Sequence, residues 1–163
     1  MSNVRRAAAA GAGLGLIVIA AALVAYALDE RNTADFVRSL VLPGEQPPDT
    51  TSFDGSSVAA FAEAAVALMT AAAVWFVRGR AFFAVSGIWS AIALGTGAWI
   101  TLTSTPRLSS VPVGPLALPM TLVGVVLVLA AAVCLIGSAT GWMAAPAEPA
   151  PARPHMPPPT HQA

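Results

Sequence analysis

MTLVGVVLVLAAAVCLIGSATGWM, residues 120–143, has no acidic or basic side chain. It exceeds the roughly 20 apolar residues that a helix rising 1.5 Å per residue needs to cross about 30 Å of hydrocarbon. Such a run reads as a transmembrane helix. Three more of similar length stand upstream, at 7–28, 58–77 and 81–103, and of the four only 58–77 contains an acidic residue, Glu63. The pattern predicts an all-α fold: a polytopic transmembrane bundle of four spans in one domain, residues 1–143, followed by a tail.

Composition agrees. The chain has 163 residues, 56% of them hydrophobic and 10% charged, with a mean hydropathy of +0.73, well outside the soluble range. The formal net charge is zero, which leaves no basic face for nucleic acid; nucleic-acid partners are not expected. Cys134 is the sole cysteine, so an intramolecular disulfide, a C-x-x-C pair and a cysteine zinc cluster are excluded. Arginine without lysine, in a chain rich in Ala, Gly and Pro, suggests a GC-rich bacterial genome, and hence the plasma membrane, the bacterial inner membrane, as the location.

Arginine placement orients the spans, because positive charge in short flanks is retained on the cytoplasmic side. Arg5 and Arg6 precede the first span, and Arg78-Gly79-Arg80 joins the second to the third. Both are expected inside. The 29–57 loop holds Asp29, Glu30, Asp35, Glu45, Asp49 and Asp54 against Arg31 and Arg38, and the loop before the fourth span holds Arg107. Both loops are expected outside, which gives an N-in/C-in topology. Trp75 and Trp142 near the inner ends, and Tyr26 and Trp99 near the outer ends, suit interfacial aromatic belts. Arg5-Arg6, the apolar stretch and Ala25-Tyr26-Ala27 also resemble a secretory signal peptide, although the run is longer than the typical 7 to 15 residues. Cleavage would leave three spans and would not alter their orientation.

Within the outer loop, Thr33 can cap a short amphipathic helix with Phe36, Val37, Leu40 and Val41 on one face, stopped by Pro43-Gly44. Ser56 or Ser57 can cap the second span. The second outer loop carries Pro106, Pro112, Pro115 and Pro119 and is expected to fold over the mouth of the bundle. The Pro/Ala-rich tail, 144–163, cannot build a core and is expected to be disordered and cytoplasmic.

Glu63 is the most informative single residue. An acid inside hydrocarbon costs a few kcal/mol unless it is neutral, paired or wetted. One reading is a proton or cation site or a subunit contact; the other is a carboxyl reaching the headgroups or held neutral by a neighbour. Counting outward from the Gly79 turn puts Gly95 and Thr96 at its depth, so Thr96 is its candidate neighbour. Small residues four apart form candidate packing seams: Gly11 and Gly15; Gly87, Ala91 and Gly95; Gly137 and Gly141. The third-span set carries most weight. Trp89 lies deep in its span and is expected to pack inward.

His155 and His161 are both in the tail, so no intramembrane histidine can ligate a haem or metal. The chain lacks G-x-x-x-x-G-K-[ST], G-x-S-x-G, H-E-x-x-H and a complete G-x-G-x-x-G, and its outer-loop acids lack calcium-loop spacing. No enzymatic activity, cofactor or metal is expected. Four spans with one intramembrane Glu resemble, in outline, the small multidrug transporters. Here the Glu is in the second span rather than the first, and the outer loop is longer. Two functions remain: a non-catalytic accessory subunit or scaffold of a membrane complex, or a small oligomeric transporter or channel component using Glu63. The expected partners are the lipid bilayer and a membrane protein or further copies of the chain.

Overall fold

The computed structural model describes residues 3–40, 44, 46, 48–77, 79–104 and 120–145. They form four α-helices: α1 (Asn3–Ser39), α2 (Thr51–Phe76), α3 (Arg80–Ser104) and α4 (Met120–Ala144). All four are long and apolar enough to span a membrane. The expectations for 105–119, for the tail beyond Ala145, and for Arg78 and Pro43 lie outside the described residues.

The distribution of residue sizes agrees with that reading. Their buried positions are mainly Ala, Gly and Ser with a few larger residues, among them Phe83, Leu16 and Leu127, whereas Phe76, Leu102, Trp99, Ile136, Met143 and Met69 are exposed. In water such a surface would be an aggregation patch. In lipid, which contributes no hydrophobic drive between helices, association rests on close backbone approach at small residues, and the small-inside, bulky-outside arrangement fits that requirement.

The helices pack in the order α2–α1–α4–α3. α1 and α4 form the central pair, α2 lies along α1 and α3 along α4, while α2 and α3 touch only sparingly although they are adjacent in sequence. The Gly79 carbonyl starts α3 by accepting the Phe82 and Phe83 amides. Because α1 is clasped on two sides, it needs small residues on two faces: Ala8, Ala9, Ala12, Gly13, Gly15, Ala20 and Ala22 are all buried.

Two boundaries differ from the sequence reading. The first helix does not end near residue 28 and restart at Thr33; it runs unbroken to Ser39. Ala25-Tyr26-Ala27 therefore lies inside a continuous helix. At 1.5 Å per residue α1 is about 55 Å long, so it extends well past a hydrocarbon layer of about 30 Å. Its extension is packed, with Ala27 and Ala34 fully buried. α2 likewise begins at Thr51, two turns before the expected start, so Ser56 and Ser57 are interior helical residues and cap nothing. The 29–57 segment is thus largely a helical hairpin closed by a short connection, in which Gly44 takes a positive φ of 99°.

One arginine ties this hairpin together. Arg38 on α1 donates to Asp35 at 2.9 Å and to the Thr50 hydroxyl at 2.7 Å, and forms a close ion pair with Asp54 on α2. Asp54 also accepts from the Thr50 hydroxyl at 3.3 Å, so that hydroxyl is engaged away from the helix start and Thr50 makes no side-chain cap. The hairpin forms the acidic end of the molecule, and Arg5, Arg6 and Arg80 mark the opposite, arginine end.

Candidate functional site

Glu63 is half-buried on α2. By helical periodicity it shares a stripe with Ser56 and Thr70, beside the seam of Ala60, Ala64, Ala67 and Ala71 that packs inward. Among the described residues no hydrogen bond or ion pair joins it to Thr96, itself half-buried on α3, and the two helices that carry them hardly pack. The expected antiparallel α2–α3 hairpin exists in connectivity, but α1 and α4 provide each helix with its main packing partner.

The small residues divide by face. Gly15 and Gly137 sit in the α1–α4 contact: a Cβ on Gly15 would lie 2.7 Å from the Cys134 Cβ, and one on Gly137 would lie 2.7 Å from the Ala12 nitrogen. Gly141 lies against the Phe83 ring. Gly87 has ordinary spacing, 3.7 Å to the Ser138 Cβ. Among the described residues nothing lies within 4 Å of a Cβ on Gly11 or Gly95, and Ala91 is exposed. The seam that α3 buries is instead Phe83, Ser86, Ser90, Ala93, Gly97 and Ile100. Backbone meets backbone where Gly97 faces Gly124: a Cβ on Gly97 would come within 2.9 Å of the Gly124 carbonyl oxygen, and a Cβ on Gly124 would lie 2.9 Å from the Gly97 carbonyl oxygen. Spacing alone missed Gly13, Gly97 and Gly124.

A polar cluster lies where α1, α3 and α4 meet. The Ser86 and Ser138 hydroxyls share a hydrogen bond of 2.6 Å across α3 and α4; Ser86 is also 3.0 Å from the Phe83 carbonyl, and Ser90 donates to the Ser86 carbonyl at 2.7 Å. The Cys134 thiol points at the Ala12 carbonyl of α1, 3.3 Å away. All four side chains are buried. This set can satisfy itself and fix helix rotation. It contains no general base, and no group of three His, Cys, Asp or Glu side chains among the described residues is placed to hold a metal.

At the arginine end two tryptophans are engaged. The Trp75 indole donates to the Ala9 carbonyl at 2.9 Å, joining α2 to α1. Arg80 stacks on the Trp142 ring at 4.1 Å, joining α3 to α4. Both rings remain partly exposed, as interfacial tryptophans do. Trp89 is half-buried and packs against the core.

At the acidic end, burial pushes the Asp29 carboxyl above its ordinary pKa. Asp49 is held below the usual carboxylate value by the Thr51 hydroxyl and then by the Thr51 amide, 3.0 Å away. No known protein family matches this chain, and neither a curated protein nor a solved structure is significantly similar to it.

Proposed function

We propose that the chain is a multi-pass plasma-membrane protein, N-in/C-in, that serves as a non-catalytic accessory subunit or scaffold, contributing helices and an acidic extracytoplasmic hairpin to a larger assembly. The observation that carries this reading is the one-sided packing of α3. It buries a seam against α4 and turns Ala91 and Gly95, flanked by the exposed Ile88 and Ile92, away from the other described helices. Small residues form the α1–α4 and α3–α4 contacts, where Gly15, Gly137, Gly97 and Gly124 let the backbones approach, and a second membrane helix is the partner such a face accommodates closely. The arginine end suits the cytoplasmic side and the acidic hairpin the opposite one; a bacterial inner membrane fits the composition. Mass spectrometry of material co-purified from native membranes in mild detergent tests the proposal. A stoichiometric membrane partner is expected, and a clean homo-oligomer would count against it.

The alternative is an ion-coupled transporter or channel component built as an oligomer. It is favoured by Glu63, a half-buried carboxylate with no hydrogen bond or ion pair among the described residues. Glu63→Gln would then abolish transport in reconstituted vesicles, whereas an accessory subunit bearing it would still assemble.

A further inference from the structure

We propose that the recess between α1 and α2 at the arginine end binds the phosphate of an acidic glycerophospholipid. The recess measures about 290 Å³ and is lined by Arg6, Ala9, Ala10, Trp75 and Phe76. Ala9 is its buried floor, while Phe76, 85% exposed, and the Trp75 ring form apolar walls. The Trp75 N–H is committed to the Ala9 carbonyl, so the charged group that remains is the Arg6 guanidinium.

Arg6 is exposed and has no hydrogen bond or ion pair among the described residues, and Arg38, which pairs with Asp35 and Asp54, is at the opposite end. No described acid is near it along these two helices. Glu63 is about 20 Å from Phe76 along α2, and Asp29 about 35 Å from Arg6 along α1. An unpaired guanidinium at the end of a membrane span recruits an anion. Its planar fork matches two phosphate oxygens, and basic pockets between transmembrane helices take acidic headgroups in this way. The apolar walls choose the source. Phe76 and Trp75 present hydrocarbon beside the charge, which suits a phosphate that carries a glycerol and acyl chains and gives nothing to a free ion in water. Trp75 has two roles here, tying α2 to α1 and forming a wall for the lipid.

The test is native mass spectrometry of the full chain in mild detergent, mixed with equal phosphatidylglycerol and phosphatidylcholine. The wild type should retain phosphatidylglycerol preferentially. Arg6→Gln should weaken that retention about fivefold, the change expected of one basic residue at an acidic surface. Ala10→Phe, which fills the recess and keeps every arginine, should weaken it to a similar extent, and Arg6→Lys should fall between. Retention unchanged in Arg6→Gln would overturn the proposal. So would loss in Arg6→Gln with full retention in Ala10→Phe, since that result describes diffuse surface charge. Displacement of the lipid by millimolar inorganic phosphate would make this a free-anion site and would also overturn it.

Discussion

Trp75 lies directly across Gly13. A Cβ on Gly13 would overlap the indole, coming within 2.6 Å of its Cδ1 and Cε2 atoms, and it is this approach that lets Nε1 reach the Ala9 carbonyl at 2.9 Å. Within α1 that carbonyl already faces the Gly13 amide one turn on, so the indole is a second donor to an oxygen left accessible by the missing side chain.

Gly13→Ala should therefore push the ring out and loosen α2 from α1, destabilising the fold by about 1–3 kcal/mol, as overpacking does. Gly11→Ala, two residues earlier where a Cβ meets nothing, should be neutral or stabilising by up to about 1 kcal/mol through helix propensity. Thermal unfolding in detergent, followed by tryptophan fluorescence, separates the two. Equal effects would refute the packing assigned to Trp75.

The same logic distinguishes two glycines two residues apart on α3. Gly97→Ala should cost about 1–3 kcal/mol because the neighbours its Cβ would strike include the Gly124 carbonyl oxygen and the Val128 amide nitrogen. Gly95→Ala should stay near neutral for the isolated chain. A melting series that ranked Gly95 above Gly97 would put the α3–α4 contact on the other face.

Across α3 and α4, the Ser86–Ser138 hydrogen bond should show in a double-mutant cycle with alanine as a coupling of about 0.6 kcal/mol, the scale measured for interhelical hydrogen bonds in membranes. Strict additivity of Ser86→Ala and Ser138→Ala would show that the hydroxyls do not interact.

The acidic hairpin should respond to pH with two opposite signs. Asp29 has a raised pKa, so its folded form holds the proton more tightly; the stability this contributes is present below the unfolded value near 4 and is lost as pH rises through the folded pKa. Asp29→Asn should raise the melting temperature at pH 7 and change little near pH 3. Asp49 has a lowered pKa, so its contribution is present above the unfolded value and lost as pH falls through the folded one. Asp49→Asn should lower the melting temperature at pH 7, and the gap from wild type should close in acid. Matching signs at pH 7 would contradict this account.

Hydropathy made the four spans legible because lipid imposes length and polarity directly on the sequence. The ends were harder. Asp29-Glu30-Arg31-Asn32 reads as a break, yet no Gly or Pro occurs between Gly15 and Pro43, and that absence is the signal that α1 can continue. Thr51-Ser52-Phe53-Asp54 has the spacing of a helix start, which points to the early onset of α2. Which face α3 buries against α4 was not legible from glycine spacing, because four-residue spacing of small residues occurs on several faces of an Ala/Gly-rich helix. Ser86 and Ser90 choose the face, since hydroxyls in an apolar helix gain from turning toward a partner such as Ser138. The pairing of α1 with α4 was not legible, because it depends on three-dimensional fit between helices far apart in sequence.

The accessory-subunit reading is tested most directly by photo-cross-linking in native membranes, with a photoreactive phenylalanine at Ile88 or Ile92 on the outward face of α3. The account predicts a discrete adduct with a second, different polypeptide from these positions. Adducts with lipid alone at both positions, leaving the chain at its own mass on a gel, would contradict it.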